Sequence, residues 1–149
     1  MKLRHAAAAV MLSAAAFAAA PAPVAAAEPT RVVFHIDEND PQKMNMVLNN
    51  VQNLASHYAA QGRETEIEVV AYGPGLHMLR ADTSPVKDRI SAMALEHDAL
   101  AFSACGNTMA AMEKKSGKPT ELVSEAHMTP SGVARLVDLQ LDGWIYVRP

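Results

Sequence analysis

Apolar, β-branched residues fall in short runs along this chain, and most runs are followed by a stretch in which apolar positions return at helical spacing. Val32-Val33-Phe34-His35-Ile36 is the first run, cut off by the polar stretch Asp37 to Asp40 and by Pro41, and it reads as a strand. Asp40 before Pro41 has the form of an N-cap with proline at the first helical position. Met44, Val47, Leu48, Val51, Leu54, Ala55 and Tyr58 then recur at helical spacing up to Gly62. The other side of this helix carries Asn45, Asn49, Gln52, Asn53 and Ser56, a polar stripe almost without charge. A solvated helix face more often carries Glu and Lys, so the stripe is a candidate contact surface.

Ile67 to Ala71 predicts a second strand, and Tyr72-Gly73-Pro74-Gly75 turns the chain away from its end. Ser84-Pro85 predicts the start of a helix with Val86, Ile90, Met93, Ala94 and His97 as its buried stripe. Leu100 to Ala104 is a third strand that runs straight into Cys105-Gly106-Asn107-Thr108, and the good helix formers Met109 to Lys115 follow, with Gly117 as the stop. Glu121 to Thr129 is ambiguous between loop and short edge strand. Ser131 then caps a helix carrying Val133, Leu136, Val137 and Leu141, Gly143 closes it, and Trp144 to Val147 is the last strand. Short strands, apolar on both faces and alternating with helices, predict an α/β domain with a mainly parallel sheet of four or five strands, covered on both sides. In such sheets ligands sit at the carboxyl ends of the strands, which singles out His35 to Asn39, Tyr72 to His77 and Cys105 to Thr108.

The first 27 residues depart from this pattern. Lys2 and Arg4 precede an uncharged apolar run from Ala6 to Ala20, and Ala25-Ala26-Ala27 has the form of an A-x-A cleavage site. The expectation is a signal peptide at 1–27, export to the periplasm, and a single domain at 28–149 that does not insert into the membrane. The 122 residues that follow are enough for one core and too few for a two-domain enzyme. They hold 11 Lys and Arg against 16 Asp and Glu, a net charge of −5, which argues against nucleic acid as a partner. Cys105 is the sole cysteine of the chain, so no intramolecular disulfide can form.

Cys105 is the first candidate for chemistry. It lies at a strand end just before a helix, where unpaired N–H groups and the positive end of the helix dipole favour a thiolate. The competing reading is a small buried hydrophobe. Gly106, lacking a side chain, would let a ligand approach the sulfur. Asn107 and Thr108 either cap the helix or hydrogen-bond a sulfur-borne anion. His35 and His77 fall at the ends of neighbouring strands and could supply a base or a positive charge, or be ordinary strand-end histidines; His127 lies in the ambiguous segment. No C-x-x-C, H-E-x-x-H or H-x-x-x-H spacing supports a metal site, no G-x-S-x-G elbow supports a serine nucleophile, and Tyr72 to Gly75 lacks the pattern of a phosphate cradle. No metal or cofactor is expected.

Taken in order, several segments resemble the DsrE/DsrF-like family of small sulfur-handling proteins, in particular its exported single-domain members. They are Val33-Phe34-His35, the Asn-rich stretch Leu48 to Leu54, Glu68 to Gly75, Phe102 to Met109, Pro130-Ser131-Gly132-Val133 with Leu136, and Gly143 to Pro149. The resemblance implies a three-layer α/β/α domain and assembly into trimers or hexamers. It also implies, at the position matched by Cys105, a cysteine that carries sulfane sulfur as a persulfide. The function expected on that basis is a sulfurtransferase-type carrier, with Gly106, Asn107, Thr108, His35, His77 and Gly73 around the sulfur. Its partner would be a donor or acceptor protein or a small sulfane-sulfur compound. The alternative is a non-catalytic oligomeric protein that binds a small ligand and in which Cys105 is buried and structural.

Overall fold

The computed structural model describes residues 28–149; the leader expected at 1–27 lies outside them. Thr30–Ile36 (β1), Thr65–Ala71 (β2), Leu100–Cys105 (β3), Ala126–Thr129 (β4) and Ile145–Val147 (β5) form one sheet in the order β4-β3-β2-β1-β5, every neighbouring pair parallel. The crossovers are the helices Pro41–Ala59 (α1), Lys87–Glu96 (α2), Gly106–Ser116 (α3) and Gly132–Leu141 (α4), with a 3-10 segment, Gly73–Leu79, ahead of α2. From β1 to β4 the chain steps in one direction across the sheet, and right-handed crossovers place α1, α2 and α3 on one face. The return from β4 at one edge to β5 at the other places α4 on the opposite face. The result is a three-layer α/β/α domain.

The two faces are unequally filled. Under α1, α2, α3 and the 3-10 segment lies the main core, where Phe34, Ile36, Val69, Phe102 and Ala104 of the strands meet Met44, Leu48, Val51, Leu76 and Ile90. Under α4 the buried apolar cluster is only Val33, Val70, Leu136 and Leu139, with Tyr72 and Trp144 packed against it. The rest of that face is polar, and the site is built there.

Local signals account for the element boundaries. Asp40 caps α1 by accepting the Gln42 amide at 2.8 Å, with Pro41 at the first position, and Ser131 caps α4 by accepting the Ala134 amide at 3.3 Å. The helix after Ser84-Pro85 starts later than the sequence suggests, at Lys87. Ser84 is buried and donates its hydroxyl to the Met78 carbonyl, closing the preceding turn instead of capping α2. The last strand starts at Ile145, because the Trp144 amide bonds back to the Leu139 carbonyl at 2.9 Å and finishes the α4 turn. Part of the uncharged stripe on α1 is engaged within the chain, while Asn53 and Ser56 stay exposed. Arg89 of α2 donates to Asn45 Oδ1 at 2.8 Å and to Asn49 Oδ1 at 2.6 Å, and His97 Nε2 pairs with Gln52 Oε1 at 3.0 Å.

Candidate functional site

Parallel register sets Ile36 beside Ala71 and Ala71 beside Ala104, so the ends of β1, β2 and β3 open on one edge of the sheet. Alternation along the strands then turns His35, Tyr72 and Cys105 toward the α4 face. Cys105 is both the last residue of β3 and the N-cap of α3, with extended backbone and no side-chain cap of its own. That position sets the sulfur at the positive, N-terminal end of α3.

Four groups around the sulfur favour its thiolate: the Thr108 hydroxyl first, then the amides of Gly132, Thr108 and Asn107. The residue is 5% exposed, and this burial alone would push the thiol up. The Thr108 hydroxyl first, then the three amides, outweigh it and hold the thiol below the ordinary cysteine range. Thr108 is itself fixed, because its Oγ1 accepts the Gly73 amide at 2.9 Å. Thr108 thus links the turn after β2 to the neighbourhood of the sulfur. Asn107 shares its amide with the Pro130 carbonyl at 3.2 Å, which ties the start of α3 to the segment leading into α4.

Gly132 closes the site from above. A Cβ on it would stand 3.1 Å from Cys105 Cβ and 3.0 Å from Tyr72 Cβ, so the absence of a side chain lets α4 pack closely over the thiol. Gly106 has a different role from the open approach expected of it. A Cβ there would meet the Thr129 carbonyl at 3.2 Å and Met128 Sδ at 3.3 Å, so its space is taken by β4. Its amide is not among the donors to the sulfur.

Beside the thiol, Tyr72 stacks on His35 with ring centroids 4.6 Å apart and an interplanar angle of 14°. His35 Nδ1 shares a hydrogen bond with the Tyr146 hydroxyl at 2.8 Å, while Nε2 is buried without a partner and Asp37 Oδ2 stands 3.9 Å away. Burial lowers the pKa of His35; Asp37 pulls it up and Arg148, which pairs with Asp37 at 3.1 Å, pushes it down again. The imidazole is therefore neutral at pH 7. Burial, then the negative charge of Asp37, holds the Tyr72 phenol above its usual value. His77 is not part of this group. It lies in the 3-10 segment and lines a shallow depression with Asn39, Arg80, Met112 and Lys115, toward the far end of α3.

A second polar group lies deeper on the same face. Glu68 is buried at the middle of β2, and Arg135 of α4 grips it in bidentate fashion, Nε to Oε1 at 2.9 Å and Nη2 to Oε2 at 2.7 Å. Ser103 donates its hydroxyl to Oε1 of the same carboxylate and accepts His127 Nε2–H at 2.8 Å, so the proton of His127 is on Nε2. Burial raises the Glu68 carboxyl, but the bonds from Arg135 and Ser103 and the Arg135 charge carry it below the usual carboxylate range.

Sequence reasoning missed Tyr72, Tyr146, Asp37, Arg148 and Gly132 as parts of the site, along with the Glu68–Arg135 pair. For Gly132 the signal is the capping run Pro130-Ser131-Gly132 immediately after β4. It becomes informative only once β4 is paired with β3, which sets Thr129 beside Cys105. Among the described residues no cluster of three or more His, Cys, Asp and Glu side chains could hold a metal ion, and no helix is long and apolar enough to cross a membrane.

Comparison with known proteins bears on the same arrangement. The model of the DsrE/DsrF-like family matches residues 5–149. Among solved structures, the protein of unknown function MTH1491 from Methanobacterium thermoautotrophicum is 36% identical, with a TM-score of 0.69 over 80% of this chain and 99% of its own. No curated protein matches the chain.

Proposed function

Because the chain belongs to the DsrE/DsrF-like family, which is linked to sulfur relay, we propose that it is a sulfur carrier of the sulfurtransferase type, with Cys105 as its persulfide-forming thiol. The observation that carries this reading is the place of Cys105 at the end of β3 and the N-terminus of α3, where the Thr108 hydroxyl and neighbouring amides lower the thiol against the effect of burial. A lowered thiol suits a sulfur nucleophile.

The cycle needs one cysteine and no net redox change. The Cys105 thiolate attacks the outer sulfur of a persulfide R–S–SH; the S–S bond breaks, R–S⁻ leaves, and Cys105–S–SH forms. An acceptor thiolate R′–S⁻ then attacks the outer sulfur, giving R′–S–SH and regenerating the Cys105 thiolate. The Thr108 hydroxyl and the Gly132, Thr108 and Asn107 amides stabilise the anion before attack and after release. Neutral His35, stacked on Tyr72, is the candidate for moving a proton to the leaving sulfur.

The 5% exposure of Cys105 favours a second reading, a non-catalytic oligomeric protein that binds a small ligand and in which the cysteine is structural. The two separate in one experiment. A carrier treated with polysulfide and desalted releases sulfane sulfur to cyanide as thiocyanate, about one per chain, and Cys105→Ser releases none. A structural cysteine reacts only after denaturation.

Export to the periplasm and assembly into a trimer or hexamer belong to the same proposal. Support for assembly comes from α4, whose outer side carries Val133, Val137 and Leu141 at 54%, 49% and 81% exposure, an apolar row at helical spacing that starts beside the thiol.

A further inference from the structure

The Glu68–Arg135 pair touches no reacting atom, yet it is the main polar tie between α4 and the sheet. A carboxylate under a helix is costly to bury, and an apolar pair of the same volume would hold the two elements together as well. What an apolar contact does not supply is a fixed register. The guanidinium fork on Glu68 makes two parallel bonds, at 2.9 and 2.7 Å, that leave Arg135 one orientation. Arg135 is in the first turn of α4: its own amide bonds the Ser131 carbonyl at 2.9 Å, and Ser131 caps Ala134. Gly132, which packs so closely on Cys105 that a Cβ on it would stand 3.1 Å from Cys105 Cβ and whose amide lowers the thiol, lies in that same turn. The apolar cluster beneath α4 is small, with four buried residues against twenty on the other face, so apolar packing alone leaves this helix loosely seated.

We propose that Glu68 and Arg135 are positioning residues for Cys105: their ion pair seats the first turn of α4 so that the Gly132 amide stays on the sulfur. Ser103 and, through it, His127 hold the carboxylate in the orientation that Arg135 needs. The inference rests on the reading of Cys105 as a working thiolate. Facing the sulfur are Thr108 and Asn107 of α3, Gly132 of α4 and Tyr72 after β2. Facing the ion pair are Ser103 and His127 from β3 and β4, with Asp138 and Asp142 on the helix of Arg135.

The test is the rate of Cys105 alkylation by iodoacetamide across a pH series, on the full chain, for Glu68→Gln and Arg135→Lys, with a thermal melt of each. An amide bond to a thiolate is worth roughly one pKa unit. Glu68→Gln therefore alkylates about tenfold more slowly near neutral pH and converges on the parent rate above the thiol's pKa. Arg135→Lys keeps the charge but loses the fork, and shows a smaller shift in the same direction. Parent pH profiles in folded variants overturn the proposal. So does faster alkylation at every pH, the signature of a pair that only keeps the site closed. If Glu68→Gln does not fold, Arg135→Lys decides, since the Arg135 side chain is partly exposed and the Glu68 carboxylate stays in place. Sulfur loading is not part of this readout, so a parent protein that never carries sulfur removes the carrier reading without touching this result.

Discussion

Replacing Thr108 with Val removes one hydroxyl and changes little else in shape, and it bears on both the chemistry and the stability of the site. The hydroxyl is the strongest of the groups that lower the Cys105 thiol, and its oxygen accepts the Gly73 amide at 2.9 Å. Hydrogen bonds to charged groups are worth about 1.5–3 kcal/mol, which corresponds to one to two pKa units on the thiol. Removing the donor destabilises the thiolate, so the pKa rises. The Gly73 amide, left without an acceptor in a half-buried turn, costs a further ~1–2 kcal/mol of stability. The assay is the pH dependence of iodoacetamide alkylation, paired with urea unfolding. Thr108→Ser, which keeps the hydroxyl, should retain the parent profile. Linkage gives a further sign: a folded thiol below its unfolded value adds stability that is complete above about pH 8.5 and is lost as pH falls through the folded pKa. Thr108→Val narrows that gain. A variant with the parent thiol pKa refutes the claim that this hydroxyl holds the anion.

Three further outcomes are expected. Gly132→Ala places a methyl 3.1 Å from Cys105 Cβ, so it should cost about 1–3 kcal/mol by urea titration and raise the thiol pKa as α4 lifts; parent values in both would separate Gly132 from the sulfur. His35 has a folded pKa below its unfolded value, so it subtracts stability as pH falls below about 6.5. His35→Phe should reduce the loss of unfolding free energy between pH 7 and 5.5 by up to ~1 kcal/mol, and an unchanged acid limb contradicts the burial argument. Val137→Arg, on the exposed apolar row of α4, should shift the protein toward monomer in light scattering, and a parent-sized assembly would move the contact elsewhere.

The fold was legible because its signals are local. Asp40-Pro41, Ser131 and Gly117 mark helix ends by their own backbone chemistry, and short apolar strands between helices leave few options besides a parallel sheet. Cys105, Thr108 and Gly73 could be placed together because all three follow strand ends. What the sequence does not carry is strand order. Only with β5 beside β1 does Tyr146 meet His35, and only with β4 beside β3 do Gly132 and His127 reach their partners. The stripe on α1 shows the same limit: that Asn45 and Asn49 are partnered by Arg89 is visible only once a helix 40 residues on is placed beside them. His77 was drawn to the site by its place after β2, but the 3-10 segment carries it toward the far end of α3.

The central claim is that Cys105 carries sulfur, and the mass of the intact native protein tests it most directly. Protein purified without reductant, incubated with inorganic polysulfide and desalted, should gain the mass of one sulfur atom, lose it on treatment with dithiothreitol, and show no gain as Cys105→Ser. An unchanged mass in folded parent protein, or the same gain in the variant, would contradict the carrier and leave Cys105 as a structural residue.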